Sequence, residues 1–265
     1  MTRVIPIRCE GAPRDLGADQ GRACRDEIRA DLGALARSRP DPLLVRDLAR
    51  YFPHLDERVS GLAAGASAPR DALVALAASE TTDFAGLRVA WDGQALALRA
   101  DRPPPTGWIV RTTHAEGGYA NLSVTRPGLV FALAGVNEHG LAGALAEIGP
   151  IRAGERWRVP GALLLEQCIE RLDAVEKALE WCERRPGGGA ALLVFADPSG
   201  ATSAIQIDGE KRARVAVPAA AAVSVSGASF RIDATARTIE VEGAGRFGLD
   251  QGGGDGAAAG ASPSR

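Results

Sequence analysis

The chain has 265 residues, of which 46% are hydrophobic and 24% charged, and this is the composition of an ordinary globular protein. Its formal net charge of -2 at pH 7 provides no general attraction to nucleic acid or to an anionic membrane. The 4 cysteines are not closely paired along the chain, which argues against a zinc module and against a disulfide scaffold. They are Cys9, Cys24, Cys168 and Cys182.

The first third of the chain has the apolar spacing of helices. Between residues 13 and 38, apolar residues recur mostly three or four positions apart, which predicts a helix. Asp41 followed by Pro42 is a typical helix start, with an N-cap and a proline at the first helical position. Further helices are expected at about residues 55–66 and 69–79.

The middle of the chain changes to alternating segments that are joined by turns. Asp92-Gly93 between two such segments predicts a β-hairpin. Two more hairpins are expected, with turns at Gly117-Gly118 and at residues 136–139. The predicted strands are 87–91, 94–99, 108–113, 119–125, 129–135 and 140–147.

Two helices, at about residues 160–171 and 173–185, come before a second set of strands, and Asp173 is the expected N-cap of the second helix. The predicted strands of this set are 191–195, 202–207, 212–217, 221–225, 230–232 and 238–241. The alternation of helices and hairpins favours an α+β fold with stacked antiparallel sheets. We expect one domain over residues 1–249 and a disordered Gly/Ala-rich tail over 250–265.

Motifs for membranes, metals and nucleotides do not occur in the sequence. No segment has the length and hydrophobicity of a bilayer span, and the first residues lack the apolar region of a secretory signal. A cytoplasmic protein is expected, and the Ala-rich composition is typical of a GC-rich bacterial genome. A phosphate-binding glycine loop, an H-E-x-x-H helix and a G-x-S-x-G elbow are missing, so we expect neither a metal nor a cofactor.

Three separate stretches occur in an order that matches a known family. The matching residues are 11–17 with Gly21, then 51–53 with 62–66 and Glu80, then 134–142. The third stretch closely resembles the signature G-x-N-E-x-G-L. Over about residues 4–242, the chain resembles the isopenicillin N acyltransferase family, the cysteine-type autoproteolytic acyltransferases and hydrolases of the NTN-hydrolase superfamily.

This resemblance implies a four-layer αββα sandwich with two stacked antiparallel sheets. It implies an acyltransferase or linear-amide hydrolase whose precursor cuts itself just before a cysteine. The thiol of that cysteine then attacks an amide or a thioester, and its free α-amine serves as the base, so that no histidine is required. Acylated small molecules are the implied substrates, without any metal or organic cofactor.

The match is incomplete at the position of the nucleophile. The family places its cysteine after a glycine that corresponds to Gly86, but residues 83–89 hold no Cys, Ser or Thr after that glycine. We therefore predict that the self-processing thiol is lost. Arg99 and Asn137 match catalytic positions of the family, and the resemblance implies that Asn137 helps to hold an oxyanion.

Three more residues are candidates for contact with a substrate. Asp101 stands one residue out of register with an aspartate of the family, and Trp108 and Glu138 are the other two candidates. The alternative is that Trp108 packs in the core, that Arg111 is solvated and that Asn137 only accommodates a tight turn.

Two other functions stay open. A non-catalytic protein could keep the cleft in order to bind an acylated small molecule. A working hydrolase could use a different nucleophile, either Thr81 or Thr82 after cleavage, or Cys9 brought close in space. The sequence names neither a particular ligand nor an oligomeric state.

Overall fold

The computed structural model describes most of the chain. The described residues are 3–34, 40–83, 87–100, 106–149, 154–156, 158–217 and 228–249. The helices are α1 Pro13–Ala23, α2 Arg25–Ala34, α3 Pro42–Tyr51, α4 Pro53–Ala66, α5 Arg70–Asp83, α6 Leu163–Arg171 and α7 Val175–Arg184. The strands are β1 Val4–Gly11, β2 Leu87–Trp91, β3 Ala95–Ala100, β4 Trp108–Ala115, β5 Asn121–Thr125, β6 Ala134–Asn137, β7 Ala142–Gly149, β8 Ala190–Ala196, β9 Thr202–Asp208, β10 Lys211–Val215, β11 Ala228–Asp233, β12 Thr238–Val241 and β13 Gly245–Gly248.

The helical first third forms as expected, with one break. The predicted helix over 13–38 is divided into α1 and α2 at Cys24, whose backbone leaves the helical region. The predicted start of α3 is confirmed, because the backbone N–H of Leu43 donates to Asp41 Oδ1 at 2.9 Å. That bond satisfies one of the amides that a helix leaves open at its N-terminus.

Glycines bring α1 and α4 into backbone contact. Gly17 and Gly21 of α1 face Gly61 and Gly65 of α4, and both pairs are four residues apart. A Cβ atom on Gly17 would lie 1.9 Å from the carbonyl oxygen of Arg58. The two helices therefore cross at a distance that no larger residue permits, and this accounts for the glycine spacing of the first stretch.

The strands form two sheets. The larger sheet has the order β1-β4-β5-β6-β7-β8-β9-β10 and the smaller one β13-β12-β11-β3-β2. All neighbours are antiparallel except β1 and β4, which run parallel with Val4 opposite Trp108. The predicted hairpins β2–β3 and β4–β5 are confirmed. Strand β13 was not predicted, and the predicted strand 221–225 and tail 250–265 lie outside the described residues.

The two sheets are stacked, and the apolar core fills the space between them. Strand β7 of the larger sheet packs against β2 and β3 of the smaller sheet. In β3 and β11 of the smaller sheet, alternate residues are buried on this inner side, among them Leu96, Leu98, Phe230 and Ile232, as the period of two in a strand requires. The expected α+β class with two stacked sheets is confirmed.

The opposite face of the larger sheet receives the helices. Helices α1, α6 and α7 contact this sheet, and α4 packs on α1. Gly135 and Gly143 leave room for α6, since a Cβ on Gly143 would lie 2.6 Å from Leu165 Cδ1. The outer face of the smaller sheet instead carries Arg88, which is exposed, and Arg231, which is half-buried.

One predicted strand starts late, because a buried loop takes its first residues. Strand β6 begins at Ala134 rather than at residue 129. The loop before it is held by side chains, since Gln20 Nε2 donates to the carbonyls of Pro127 and Leu129 at 3.0 and 2.8 Å. A buried loop requires such partners for its backbone.

The predicted N-cap of α7 is one residue off. Ala174 occupies the N-cap position, and not Asp173.

Candidate functional site

The structure does not gather the predicted site residues into one cleft. Arg99 lies in the smaller sheet, Trp108 begins β4 of the larger sheet, and Asn137 and Glu138 lie where β6 turns towards β7. Of the predicted residues that the structure describes, these two chain neighbours alone are adjacent. Asp101 lies outside the described residues.

Trp108 is a core residue. It is 1% exposed, and its ring packs edge-to-face on Phe230 of the smaller sheet, with centroids 5.2 Å apart and an angle of 74°. Because its side chain is enclosed between the two sheets, it does not present a surface to a substrate. The prediction that Trp108 lines a substrate cleft is therefore corrected in favour of the core alternative.

Arg99 lies on the other side of the smaller sheet. Its neighbours Leu98 and Ala100 are buried against the larger sheet, so the alternation of the strand turns Arg99 to the outer face. Its partners in register are Arg88 on β2 and Ser229 on β11. Arg99 and Trp108 are thus separated by the thickness of the smaller sheet.

Asn137 is fully buried, and every polar atom of its side chain has a partner. Its Nδ2 donates to the carbonyls of Ile169 and Leu172 at 2.9 and 2.6 Å, at the C-terminal end of α6. Its Oδ1 accepts from the backbone N–H groups of His139 and Leu141 at 3.0 and 3.1 Å. Both amide hydrogens are therefore engaged within the fold, and neither is directed at an oxyanion in this conformation.

The turn after Asn137 presents polar and aromatic groups to the surface. Glu138 is exposed, and its Oε1 accepts from the backbone N–H of Ala120 at 3.2 Å. The ring of His139 packs on Tyr119 with centroids 4.3 Å apart. Gly140 completes the turn with φ +84, a conformation that favours glycine. Through these contacts, residues 134–142 join strands β6 and β7 to α6.

A buried cluster of charges was missed by the sequence reasoning. Arg58 of α4, Arg111 of β4, and Glu166 and Glu170 of α6 are each less than 5% exposed. Arg111 Nη2 donates to both carboxylate oxygens of Glu166, at 2.6 and 2.9 Å. Arg58 bridges Glu166 and Glu170. The alternative that Arg111 is solvated is therefore wrong.

Further polar groups complete this cluster. Arg111 Nη1 donates to Gln20 Oε1 at 3.0 Å and to the Val130 carbonyl at 3.2 Å, and its Nε donates to Ser123 Oγ at 3.2 Å. The cluster thus ties α1, α4 and α6 to the larger sheet. A signal was present in the sequence, because Glu166 directly follows three consecutive leucines in the helix predicted at about residues 160–171.

The two glutamates of the cluster differ in their electrostatics. Burial by itself raises the pKa of Glu166, but Arg111 and Arg58 outweigh it and hold that pKa below its usual value. Burial dominates at Glu170 and raises its pKa, although Arg58 opposes the shift. Glu166 is therefore the ionised partner of the two guanidinium groups. The arrangement is typical of a structural ion network.

The alternative nucleophiles occupy unreactive or helical positions. Cys9 is fully buried on β1 beneath α1, and burial raises the pKa of its thiol to about 11 in spite of the nearby Arg111. A protonated, enclosed thiol is a poor nucleophile. Thr81 and Thr82 lie in the last turn of α5, which extends beyond the predicted helix at 69–79.

A groove of about 710 Å³ opens between α3 and α7. Its apolar and aromatic lining comes from Tyr51, Leu172, Trp181 and Pro186. Its charged lining comprises Lys177, Glu180, Glu183, Arg184, Arg185, Glu210 and Arg212. The guanidinium of Arg185 lies 3.9 Å from the ring centroid of Trp181, and the indole Nε1–H of Trp181 is buried without an acceptor among the described residues. The groove therefore offers an aromatic wall and a cation.

The described part of the chain contains neither a candidate metal site nor a helix suited to cross a membrane. No group of three or more His, Cys, Asp or Glu side chains there is placed to hold a metal ion. None of the described helices is both long enough and apolar enough to cross a bilayer.

No family model matches the chain, and no curated protein matches it. Among solved structures, the chain is similar to the penicillin V acylase from Agrobacterium tumefaciens, with 16% identity and a TM-score of 0.36 over 50% of this chain and 49% of the other. It is also similar to a variant of the conjugated bile acid hydrolase from Clostridium perfringens, with 16% identity and a TM-score of 0.28 over 48% and 49%. The match spans about half the length of each of these structures.

Proposed function

We propose that this chain is an acyltransferase-like or linear-amide-hydrolase-like protein of the NTN-hydrolase superfamily that lacks the self-processing cysteine. The proposal rests on the three sequence stretches that resemble the isopenicillin N acyltransferase family and on the α+β sandwich of two sheets. We infer the loss of the nucleophile from the positions of the cysteine thiols. All four cysteines are fully buried in the described fold, and none lies in residues 83–89.

A missing thiol has a direct chemical consequence. Without it, this chain forms neither the cysteine-dependent cut nor a thioester intermediate on residues 83–89. Asn137 does not compensate, because both hydrogens of its amide are bound to carbonyls of α6. Oxyanion donors without a nucleophile retain a small part of the rate of a complete site.

Intact-mass measurement of the purified protein tests this proposal. We expect a single uncut chain that does not hydrolyse N-acyl amino acids, linear amides or acyl-CoA esters above the rate in buffer. Two fragments separated at a bond within residues 80–87 would overturn it.

Matched variants identify the nucleophile if activity is found. Loss of that activity in Thr81→Ala or Thr82→Ala would assign it to a threonine after cleavage, and loss in Cys9→Ala would assign it to the buried thiol. Cys24→Ala is the control for Cys9→Ala, because Cys24 is an equally buried thiol at the break between α1 and α2. Activity that survives all these changes would exclude each of the named nucleophiles.

The groove between α3 and α7 favours a second candidate function, the binding of an acylated small molecule without chemistry. Its apolar lining suits an acyl chain, and Arg185 suits a carboxylate. Calorimetric titration with N-acyl amino acids tests it, with Trp181→Ala as the variant and Trp91→Ala, on β2, as the control. We expect at least tenfold weaker binding in Trp181→Ala and no change in the control. Equal affinities of the two variants would show that the ligand does not bind in this groove.

A further inference from the structure

Two cysteines that the proposed function does not use are in direct contact. Cys168 of α6 and Cys182 of α7 are both free and fully buried, and their Sγ atoms lie 3.6 Å apart. The Sγ of Cys168 also lies 3.9 Å from the carbonyl oxygen of Ala178, one turn before Cys182. The two thiols therefore face each other across the interface between consecutive helices.

The surroundings hold the two helices in this arrangement. Residues 172–174 form the short connection between them, and the backbone N–H of Val175 at the start of α7 donates to Asp197 Oδ2 at 3.0 Å. At the other end of α7, Arg212 Nε donates to the carbonyl of Cys182 at 3.3 Å. Since α7 is fixed at both ends, the sulfur atoms stay close in the folded chain.

We propose that Cys168 and Cys182 form a disulfide-bonding site that links α6 to α7. The separation of the two sulfur atoms has to fall from van der Waals contact to a bond of about 2.05 Å, and rotation of the two side chains about Cα–Cβ provides such a movement. The proposal does not depend on the acyltransferase-like function.

The co-reactant is a low-molecular-weight disulfide such as oxidised glutathione. The thiolate of one cysteine attacks it, forms a mixed disulfide and releases one glutathione thiolate. The second cysteine, after loss of its proton, attacks the protein sulfur of that mixed disulfide and releases the second glutathione. Two protein thiols are thereby oxidised to one disulfide, and one glutathione disulfide is reduced to two thiols.

Access to the thiols determines when the bond forms. Burial and the neighbouring Cys182 thiol raise the pKa of Cys168 well above its ordinary value, so that little thiolate is present in the closed fold. We therefore expect oxidation while the chain folds or opens locally, followed by protection of the bond in the native state. The cross-link fixes α6, which also carries Glu166 of the charge cluster and holds Asn137 through its last carbonyls.

Refolding in a glutathione buffer tests the proposal. The full chain is unfolded in urea with reductant, transferred to reduced and oxidised glutathione, and then blocked with an alkylating agent. After subtraction of the mass added by the alkylating agent, we expect the oxidised product to be about 2 Da lighter than the reduced chain. Trypsin should yield residues 159–171 and 178–184 as one cross-linked peptide pair. The oxidised protein should melt about 5–10 °C above the reduced protein.

Controls separate this bond from other pairings. Cys9→Ala with Cys24→Ala keeps the pair and should retain both the cross-linked peptides and the difference in Tm. Cys168→Ala and Cys182→Ala should each lose both. Full alkylation of Cys168 and Cys182 in the refolded protein, cross-linked peptides that contain Cys9 or Cys24 instead, or a lower Tm on oxidation would overturn the proposal.

Discussion

Asn137 holds the end of α6, because its Nδ2 donates to the carbonyl oxygen of Leu172 at 2.6 Å. The same side chain accepts two backbone N–H groups of the turn that follows it. A single amide thus joins the β6–β7 turn to the helix layer. The residue that resembles a catalytic asparagine is, in this conformation, a structural link.

Replacement of Asn137 should therefore destabilise the whole fold. Asn137→Ala removes four hydrogen bonds from a fully buried position, and we expect a loss of about 3 kcal/mol in the free energy of unfolding. Asn137→Asp keeps the acceptor and loses the donors, and it should lose at least half as much. Urea denaturation followed by circular dichroism measures both, with the exposed Glu138→Ala as the control. A change of less than about 1 kcal/mol in Asn137→Ala would contradict the structural role.

The charge cluster should be intolerant of the loss of one member. Glu166→Ala leaves Arg111 and Arg58 buried without their shared carboxylate, and we expect a loss of about 3–5 kcal/mol. The matched control is Glu176→Ala, which removes an exposed partner of Arg214 and should change stability by less than about 1 kcal/mol. The same denaturation experiment compares the two variants. Equal losses in the free energy of unfolding would show that the cluster does not stabilise the fold.

The stability of the protein should fall in mildly acidic solution because of His54. Burial lowers the pKa of His54 to about 4 from 6.5, so that between these values the unfolded chain binds a proton and the folded chain does not. The free energy of unfolding therefore falls as pH decreases from 6.5 towards 4. We expect a contribution on the order of 1–2 kcal/mol, since the side chain is only partly buried.

His54→Gln isolates this contribution. Glutamine keeps a polar side chain beside Gln167, the hydrogen-bond partner of His54, but it does not titrate. The variant should lose less stability than the wild type between pH 7 and pH 4.5, whereas His139→Gln, at the surface turn, should follow the wild type. Identical pH profiles for His54→Gln and the wild type would contradict the shift.

The crossing of α1 and α4 predicts opposite effects for two glycine substitutions. Gly61→Ala places a Cβ 1.9 Å from the carbonyl oxygen of Arg14, so the helices must separate, and we expect a loss of about 2 kcal/mol or more. Gly33→Ala, in α2, meets no atom within 4 Å and should stabilise the protein by about 0.5–1 kcal/mol. Thermal denaturation measures both, and a neutral Gly61→Ala would show that the contact is not tight.

Local signals in the sequence were sufficient for most elements. The N-cap at Asp41 and the Asp92-Gly93 turn each depend on a few neighbouring residues, and both are confirmed. Strand β13 was missed because Gly245–Gly248 has almost no apolar residues, and it forms through pairing with β12. The late start of β6 depends on Gln20, a residue more than a hundred positions away in the chain.

Periodicity, caps and turn residues thus determined the order of helices and strands and the α+β class, because these signals act over a few residues. Only the tertiary structure decided which polar side chains are buried. Arg111 and Glu166 meet because β4 and α6 are packed together, and Asn137 is enclosed because α6 ends above it. Which polar side chains are buried, and which groups they bind, depends on residues that are distant in the chain. The spacing of residues along one helix or strand does not contain that information.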